Sequence, residues 1–147
     1  MGFWLALIIA AAAGATMAVQ GALNSLLSKS AGLVPAVVVV QALALVTALL
    51  VLLLLPGESL RVAALARAPW YTYIGGILGV VITLTVMQSI SRVGVYRATT
   101  AIIAAQILTA VLIDHLGLWG LQKLPFTWQR LVGALLLIAG AWVLLRR

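Results

Sequence analysis

The chain has 147 residues, of which 65% are hydrophobic and only 7% are charged, and its formal net charge at pH 7 is +7. Soluble domains carry about 25% charged residues, so this composition excludes a water-soluble fold and predicts an all-α, polytopic membrane protein. There is no cysteine, which excludes disulfides and thiolate metal sites. The cations are scattered among apolar runs, so they fit anchors beside anionic lipid headgroups better than a nucleic-acid groove.

Five apolar runs predict five transmembrane helices in a single transmembrane domain, residues 1–147. A helix needs roughly 20 apolar residues to cross a bilayer core, and the second and third runs contain no charged residue at all. The runs do not alternate polar and apolar residues, which argues against barrel strands. The predicted helices are, approximately, 3–27, 33–55, 70–91, 98–113 and 130–145.

Polar residues and glycines predict where the helices are connected. Residues 29–32 are expected to form a tight connection, the dipeptide 56–57 is a stop signal, and Gly94 should lie in a turn. A short interfacial helix is expected within 58–69. The fourth and fifth helices would be only about 24 Å long, so they would need local thinning of the bilayer or support from flanking aromatic residues.

The cations divide almost evenly between the two membrane faces that five spans imply. The face of the N-terminus would hold Arg61, Arg67, Lys123 and Arg130, and the other face Lys29, Arg92, Arg97, Arg146 and Arg147. Lys/Arg asymmetry sets orientation, and four against five gives almost none. Either another feature such as the N-terminus fixes the orientation, or the chain inserts both ways and pairs with its own inverted copy.

Amide side chains fall at similar depths in three of the predicted helices. Gln20, Gln41 and Gln106 each lie about 11–12 Å from the face opposite the N-terminus, and Asn24 lies closer to that face. An amide is costly in hydrocarbon unless it is paired. A single glutamine could link helices by a hydrogen bond, whereas the layer as a whole favours the lining of a substrate-binding cavity.

No acidic residue lies inside a predicted span, although intramembrane carboxylates often mark proton pathways. Asp114 ends the fourth helix and is followed by His115. Asp114 is either an interfacial residue paired with a cation such as Arg130 or, with His115, a coupling or gating group. One histidine, two acidic residues and no cysteine make no catalytic cluster, so no enzymatic activity, cofactor or metal is expected.

Glycines at helical spacing predict close helix packing. Gly75 and Gly79 have the small-xxx-small spacing that lets helix backbones approach, and Gly133 and Gly140 lie on one face of the fifth helix. Threonines within the spans are expected to bond backbone carbonyls of their own helices: Thr83, Thr85 and Thr109.

Four segments carry a family resemblance over nearly the whole chain. They are Gln20-Gly21-Ala22-Leu23-Asn24; Pro69-Trp70 with Gly75-Gly76 and Gly79; Ala105-Gln106 with Leu112-Ile113-Asp114-His115-Leu116-Gly117-Leu118; and Arg130-Leu131-Val132-Gly133-Ala134-Leu135. Together they resemble the YdcZ-type inner-membrane exporters, the short five-helix bacterial branch of the drug/metabolite transporter superfamily. Two positions depart from the expected pattern: Ala105 stands where glycine is expected, and Arg92-Val93 stand where proline is expected before Gly94.

The resemblance implies a transporter of the bacterial cytoplasmic membrane that exports a small metabolite or drug-like molecule by alternating access. Ten-helix members of the superfamily contain two inverted five-helix halves, so a five-helix chain is expected to act as an antiparallel homodimer. Inverted repeats place the substrate near the bilayer midplane. By analogy, the fifth helix would make the dimer contact, and the first four would line the cavity. A passive channel and a non-transporting accessory subunit are the alternatives.

Overall fold

The chain is all-α in the residues that a computed structural model describes, which are 2–55, 61–124 and 127–146. The helices are α1 (Phe3–Ala31), α2 (Leu33–Leu54), α3 (Val62–Ala66), α4 (Ile74–Val93), α5 (Val95–Leu116) and α6 (Trp128–Leu145). Short 3-10 helices cover Trp70–Tyr73 and Leu118–Gly120. Five segments are long and apolar enough to cross a membrane, namely α1, α2, Trp70–Val93, α5 and α6. The prediction of five spans is therefore confirmed, and the stop signal at 56–57 lies outside the described residues.

The first helix continues past the polar residues at which the sequence predicted its end. α1 reaches Ala31 rather than residue 27 and is 29 residues long. The hydroxyl groups of Ser28 and Ser30 donate to carbonyls of their own helix, those of Ser25 and Leu26, so these polar side chains fit inside the helix. The connection to α2 is therefore the single residue Gly32, not a 29–32 segment.

Two glycines form one-residue turns with nearly the same backbone conformation. Gly32 has φ 88° and ψ 157°, and Gly94 has φ 86° and ψ 162°. This region of backbone space is essentially restricted to glycine. The α1–α2 and α4–α5 connections thus depend on the absence of a side chain at these two positions.

The last two spans also differ from the predicted ranges. α5 covers 95–116 rather than 98–113, so it is about 33 Å long and can cross a bilayer without thinning. It ends at Gly117, which has the left-handed φ 62° and ψ 39° of a glycine cap. α6 begins at Trp128 rather than residue 130, because the Thr127 side chain caps it by accepting the backbone N–H of Arg130 at 3.4 Å.

The chain divides into two compact units, Met1–Arg92 and Val93–Arg147. In the first unit, the buried core lies at one end, near the Gly32 turn. It comprises Ala36, Val37 and Met87, with Leu27, Leu33, Val40 and Leu84 packed against it. Further along α2, every residue from 43 to 55 except Leu52 is exposed. The helices of this unit are thus packed at one end and expose apolar side chains along the rest of their length.

Gly21 marks the closest approach of α1 to α4. A Cβ added at Gly21 would lie 2.9 Å from Ile90 Cδ1 and 3.3 Å from Val86 Cγ1. Gly21 is buried, as is Ser25 four residues later. The close contact of α1 with α4 therefore lies at Gly21. Gly21 was not predicted as a packing residue, although the small-xxx-small spacing of Gly21 and Ser25 is a signal for it.

In the second unit, α5 packs against α6. The Tyr96 hydroxyl donates a hydrogen bond to the Leu144 carbonyl. That carbonyl is among the last four of α6, which lack a partner within their own helix. The bond therefore joins the beginning of α5 to the end of α6.

Replacing Gly32 with alanine should lower the free energy of unfolding by about 1–3 kcal/mol, because alanine does not tolerate this backbone conformation. The matched control is Gly14→Ala, in the middle of α1, where an added Cβ meets no described atom within 4 Å. That control should raise stability by up to about 1 kcal/mol, because alanine favours a helix more than glycine does. Equilibrium unfolding in detergent measures both, and a shift of the same sign in both variants would contradict the role of the turn.

Candidate functional site

The predicted cavity-lining amides are distributed over both units. In the first unit, Gln20 is exposed, whereas Asn24 and Gln41 are half-buried; in the second unit, Gln106 is exposed. Because α1 and α5 are longer than predicted, Gln20 lies about 16 Å from the end of α1 and Gln106 about 16 Å from the start of α5. Gln41 lies about 12 Å from the start of α2. These glutamines are therefore near the middle of their spans.

These amides make no hydrogen bond within the part of the chain that the structure describes. This holds for Gln20, Asn24, Gln41 and Gln106, and also for the side chain of Gln88 in α4. The threonines differ, since the hydroxyl groups of Thr83, Thr85 and Thr109 donate to carbonyls of their own helices at 2.8–2.9 Å. The threonine prediction is confirmed. The amides, in contrast, do not link helices of this chain in the described residues, and their hydrogen-bonding groups are available to another partner.

Gln41 lies beside a glycine of the neighbouring helix. Its Nε2 atom is 3.9 Å from the position that a Cβ of Gly79 would occupy. The carbonyl of Gly79 accepts a hydrogen bond from the Thr83 hydroxyl at 2.8 Å. Gly79 was predicted as a helix-packing residue and Gln41 as a cavity residue, and the structure brings the two together between α2 and α4. The missing side chain of Gly79 leaves room for the Gln41 amide beside α4.

Gly75, Gly133 and Gly140 have open space around them. A Cβ added at any of the three would meet no atom of the described residues within 4 Å. The predicted close packing at these glycines involves no described part of this chain and stays a prediction.

Asp114 and His115 occupy the last turn of α5, at the end of a span. Asp114 is half-buried and His115 is exposed. The backbone carbonyl of Asp114 accepts the N–H of Leu124 at 2.9 Å, so the loop after α5 folds back onto the end of the helix. Lys123 approaches in the same loop, with its Cβ 3.1 Å from the position of a Cβ at Gly117. A role of Asp114 and His115 in coupling or gating stays a prediction.

The comparisons with known proteins give one match, which covers nearly the whole chain. A family model described as "Putative inner membrane exporter, YdcZ" matches residues 5–143, whereas no curated protein and no solved structure matches. The family description names a membrane exporter rather than an enzyme. Together with the five membrane-length apolar helices, the match confirms the resemblance seen in the sequence. The chain is a multi-pass protein of the inner membrane and belongs to the YdcZ family.

Proposed function

We propose that the chain is one half of an alternating-access exporter for a small metabolite or drug-like molecule, and that the functional unit is an antiparallel homodimer. The observation that carries the proposal is the set of mid-span amides that make no hydrogen bond to another described residue. Placing an unpaired amide in hydrocarbon costs about 2–7 kcal/mol. A hydrated cavity, a polar substrate or a second copy would each remove this cost.

The arrangement of the first unit supports a substrate position near Gln41. Ala36 and Val37 are buried and Val40 packs against them, whereas α2 is almost fully exposed from residue 43 onwards. Gln41 therefore lies at the boundary between the packed and the open parts of this unit. A molecule that enters between the helices from the open end would meet the amide where the packed core begins.

Inverted pairing is supported by charge and by the number of spans. Four cations against five leave almost no orientation signal. An odd number of spans places the two chain ends on opposite faces. A second copy joined directly after the first would therefore be inverted, and two separate antiparallel copies would give the same arrangement. Inverted repeats are a common basis of alternating access, with the substrate site at the interface of the repeats.

A passive channel is the main competing function, because amides can also line a water-filled pore. The two functions differ in rate, since a conformational cycle that takes about a millisecond limits turnover to roughly 10³ per second. Purified protein in liposomes, tested with compounds chosen by a thermal-shift screen of metabolites, provides the measurement. Saturable flux below that limit supports the transporter, whereas much faster, non-saturable flux contradicts it. An accessory subunit would show neither flux nor substrate-dependent stabilisation.

Replacing either Gln41 or Gln106 with alanine should lower transport up to about tenfold, as expected for the loss of one hydrogen bond to substrate. The unfolding temperature should change little, because these amides make no hydrogen bond to other described residues. Thr47→Val is the matched control: Thr47 lies in the exposed part of α2 and its hydroxyl bonds the Leu43 carbonyl, so transport should persist. Unchanged transport per folded molecule with a large loss of stability would instead identify the glutamines as structural links.

A further inference from the structure

The charged residues of the five spans all lie at the ends of their helices. Each of them is within two residues of the first or last residue of its span. They are Lys29 of α1, Arg92 of α4, Arg97 and Asp114 of α5, and Arg130 of α6, whereas α2 contains none. The middle of each of these five spans therefore contains no charged side chain.

The polar side chains in the middle of the spans are neutral amides and hydroxyls. The threonine hydroxyls already donate to carbonyls of their own helices, as those of Thr47 and Thr83 do. The amides of Gln20, Gln41 and Gln106 make no hydrogen bond to another described residue, and each carries two N–H donors and a carbonyl acceptor. What these spans offer a ligand at mid-depth is therefore a neutral group that both donates and accepts.

The surroundings of Gln41 show how far a charge lies from such an amide. Gln41 is beside Gly79 of α4, and the charged residue of that helix, Arg92, lies about 20 Å further along it. Lys29 of α1 precedes the start of α2, which is itself about 12 Å from Gln41. An ion of either sign bound beside Gln41 would therefore have no counter-ion in contact with it from α1, α2 or α4.

A second copy of the chain does not supply the missing charge. A homodimer contains the same five spans twice, so the middle of its spans is equally uncharged in whichever way the copies pack. Binding an ion without a counter-ion between apolar helices costs far more than binding a neutral polar group. The net charge of +7 also repels cations at long range.

We propose that the exported molecule is uncharged and apolar over most of its surface, and that it carries an amide or alcohol group that exchanges hydrogen bonds with Gln41. This inference rests on the proposed exporter function and narrows its substrate class. An amide or an alcohol matches the Gln41 side chain because it too both donates and accepts. The exposed apolar side chains of α2 beyond residue 43 would contact the rest of the molecule.

The test uses matched probes that differ only in charge, with purified protein in liposomes and protein-free liposomes as the control for leakage. For each of several apolar amino acids, the uncharged probe is the N-acetylated amide, the anion is the N-acetylated acid, and the permanent cation is the amide with a trimethylated amine. The uncharged probes should give saturable flux, with an apparent affinity at least about tenfold higher than that of either ion.

The outcomes separate this inference from the exporter function on which it rests. Saturable flux of a cation or an anion with the affinity of its uncharged counterpart would overturn the substrate class and leave the exporter intact. Absence of saturable flux for every uncharged probe would also overturn the substrate class. Fast, non-saturable flux of all three classes would contradict the exporter itself and this inference with it, because a water-filled path would then carry ions as well.

Gln41→Glu tests the charge at the site itself, because a protonated glutamic acid has nearly the shape of glutamine. As the pH rises and the carboxyl group ionises, it loses its hydrogen-bond donor. Flux of the uncharged probes should then fall at least about tenfold, and the permanent cation should begin to raise the unfolding temperature. Gln41→Leu is the matched control, which removes the hydrogen bonds without adding a charge and should gain no cation binding at any pH.

A Gln41→Glu variant whose flux of uncharged probes is the same at low and high pH, with no cation binding, would contradict contact between the substrate and residue 41. The native protein is measured at each pH in parallel, so that titration elsewhere in the chain is subtracted. If the variant does not fold, the three classes of probe on the native protein still decide the substrate class.

Discussion

Replacing Gly21 with leucine should separate α1 from α4 and destabilise the first unit by about 1–3 kcal/mol or more, the cost of overpacking a tightly packed site. A Cβ alone would lie 2.9 Å from Ile90 Cδ1, and leucine adds three further carbons to the same space. Since few residues of this unit are buried, the loss would affect a large part of its core. Unfolding in detergent and the yield of folded protein measure the effect.

Two further variants separate overpacking from a general effect of leucine in α1. Gly14→Leu places the same side chain on the same helix where no described atom lies within 4 Å, and it should not destabilise the protein. Ile90→Ala removes the contacting atoms and should partly rescue Gly21→Leu, so that the two changes are not additive. Strict additivity of the two changes would show that Gly21 does not act through its contact with Ile90.

Single cysteines at the two ends of α1 should both react with a membrane-impermeant thiol reagent applied from one side only. Gly2→Cys and Ser30→Cys are suitable positions, because both residues are exposed and the natural chain has no cysteine. If the chain inserts in both orientations, each position is outside in part of the population. Labelling at only one of the two positions would rule out dual orientation and, with it, the antiparallel homodimer.

Removing two cations should convert the mixed population into one orientation. Arg61→Gln with Arg67→Gln leaves two cations on the face of the N-terminus against five on the other, a strong asymmetry. Only one of the two cysteine positions should then be labelled, and transport should be lost if it requires an inverted pair. Co-expression with a variant of opposite bias should restore transport. Full transport by the single-orientation population would contradict the inverted pair.

The spans could be predicted from the sequence because a bilayer core demands long apolar segments, which the composition displays directly. The helix ends could not be placed in the same way. The predictions stopped α1 before Lys29 and α5 before Asp114, but polar side chains can lie in the last turn of a helix. Glycine conformation ends both helices, at Gly32 and Gly117, and the sequence does not state which glycines leave the helical region.

The candidate site shows a second limit of prediction from the sequence. The sequence of one helix does not indicate which residues of another helix its side chains will contact. Gly14 and Gly21 are indistinguishable by type, yet only Gly21 meets another helix in the described structure. Gln41 and Gly79 were each selected for separate reasons, and their proximity follows from the packing of α2 on α4. Depth along a helix is readable from the sequence, whereas the face that meets a neighbour depends on the fold.

The one-residue turn at Gly32 has a consequence for how the protein is made. Because only one residue connects α1 to α2, the connection is too short for one helix to stay on one side of the membrane while the other crosses it. We therefore expect the two helices to enter the membrane together as a hairpin during synthesis. The membrane orientation of α1 and α2 would then be set once for both helices, at the moment of insertion, rather than separately for each helix.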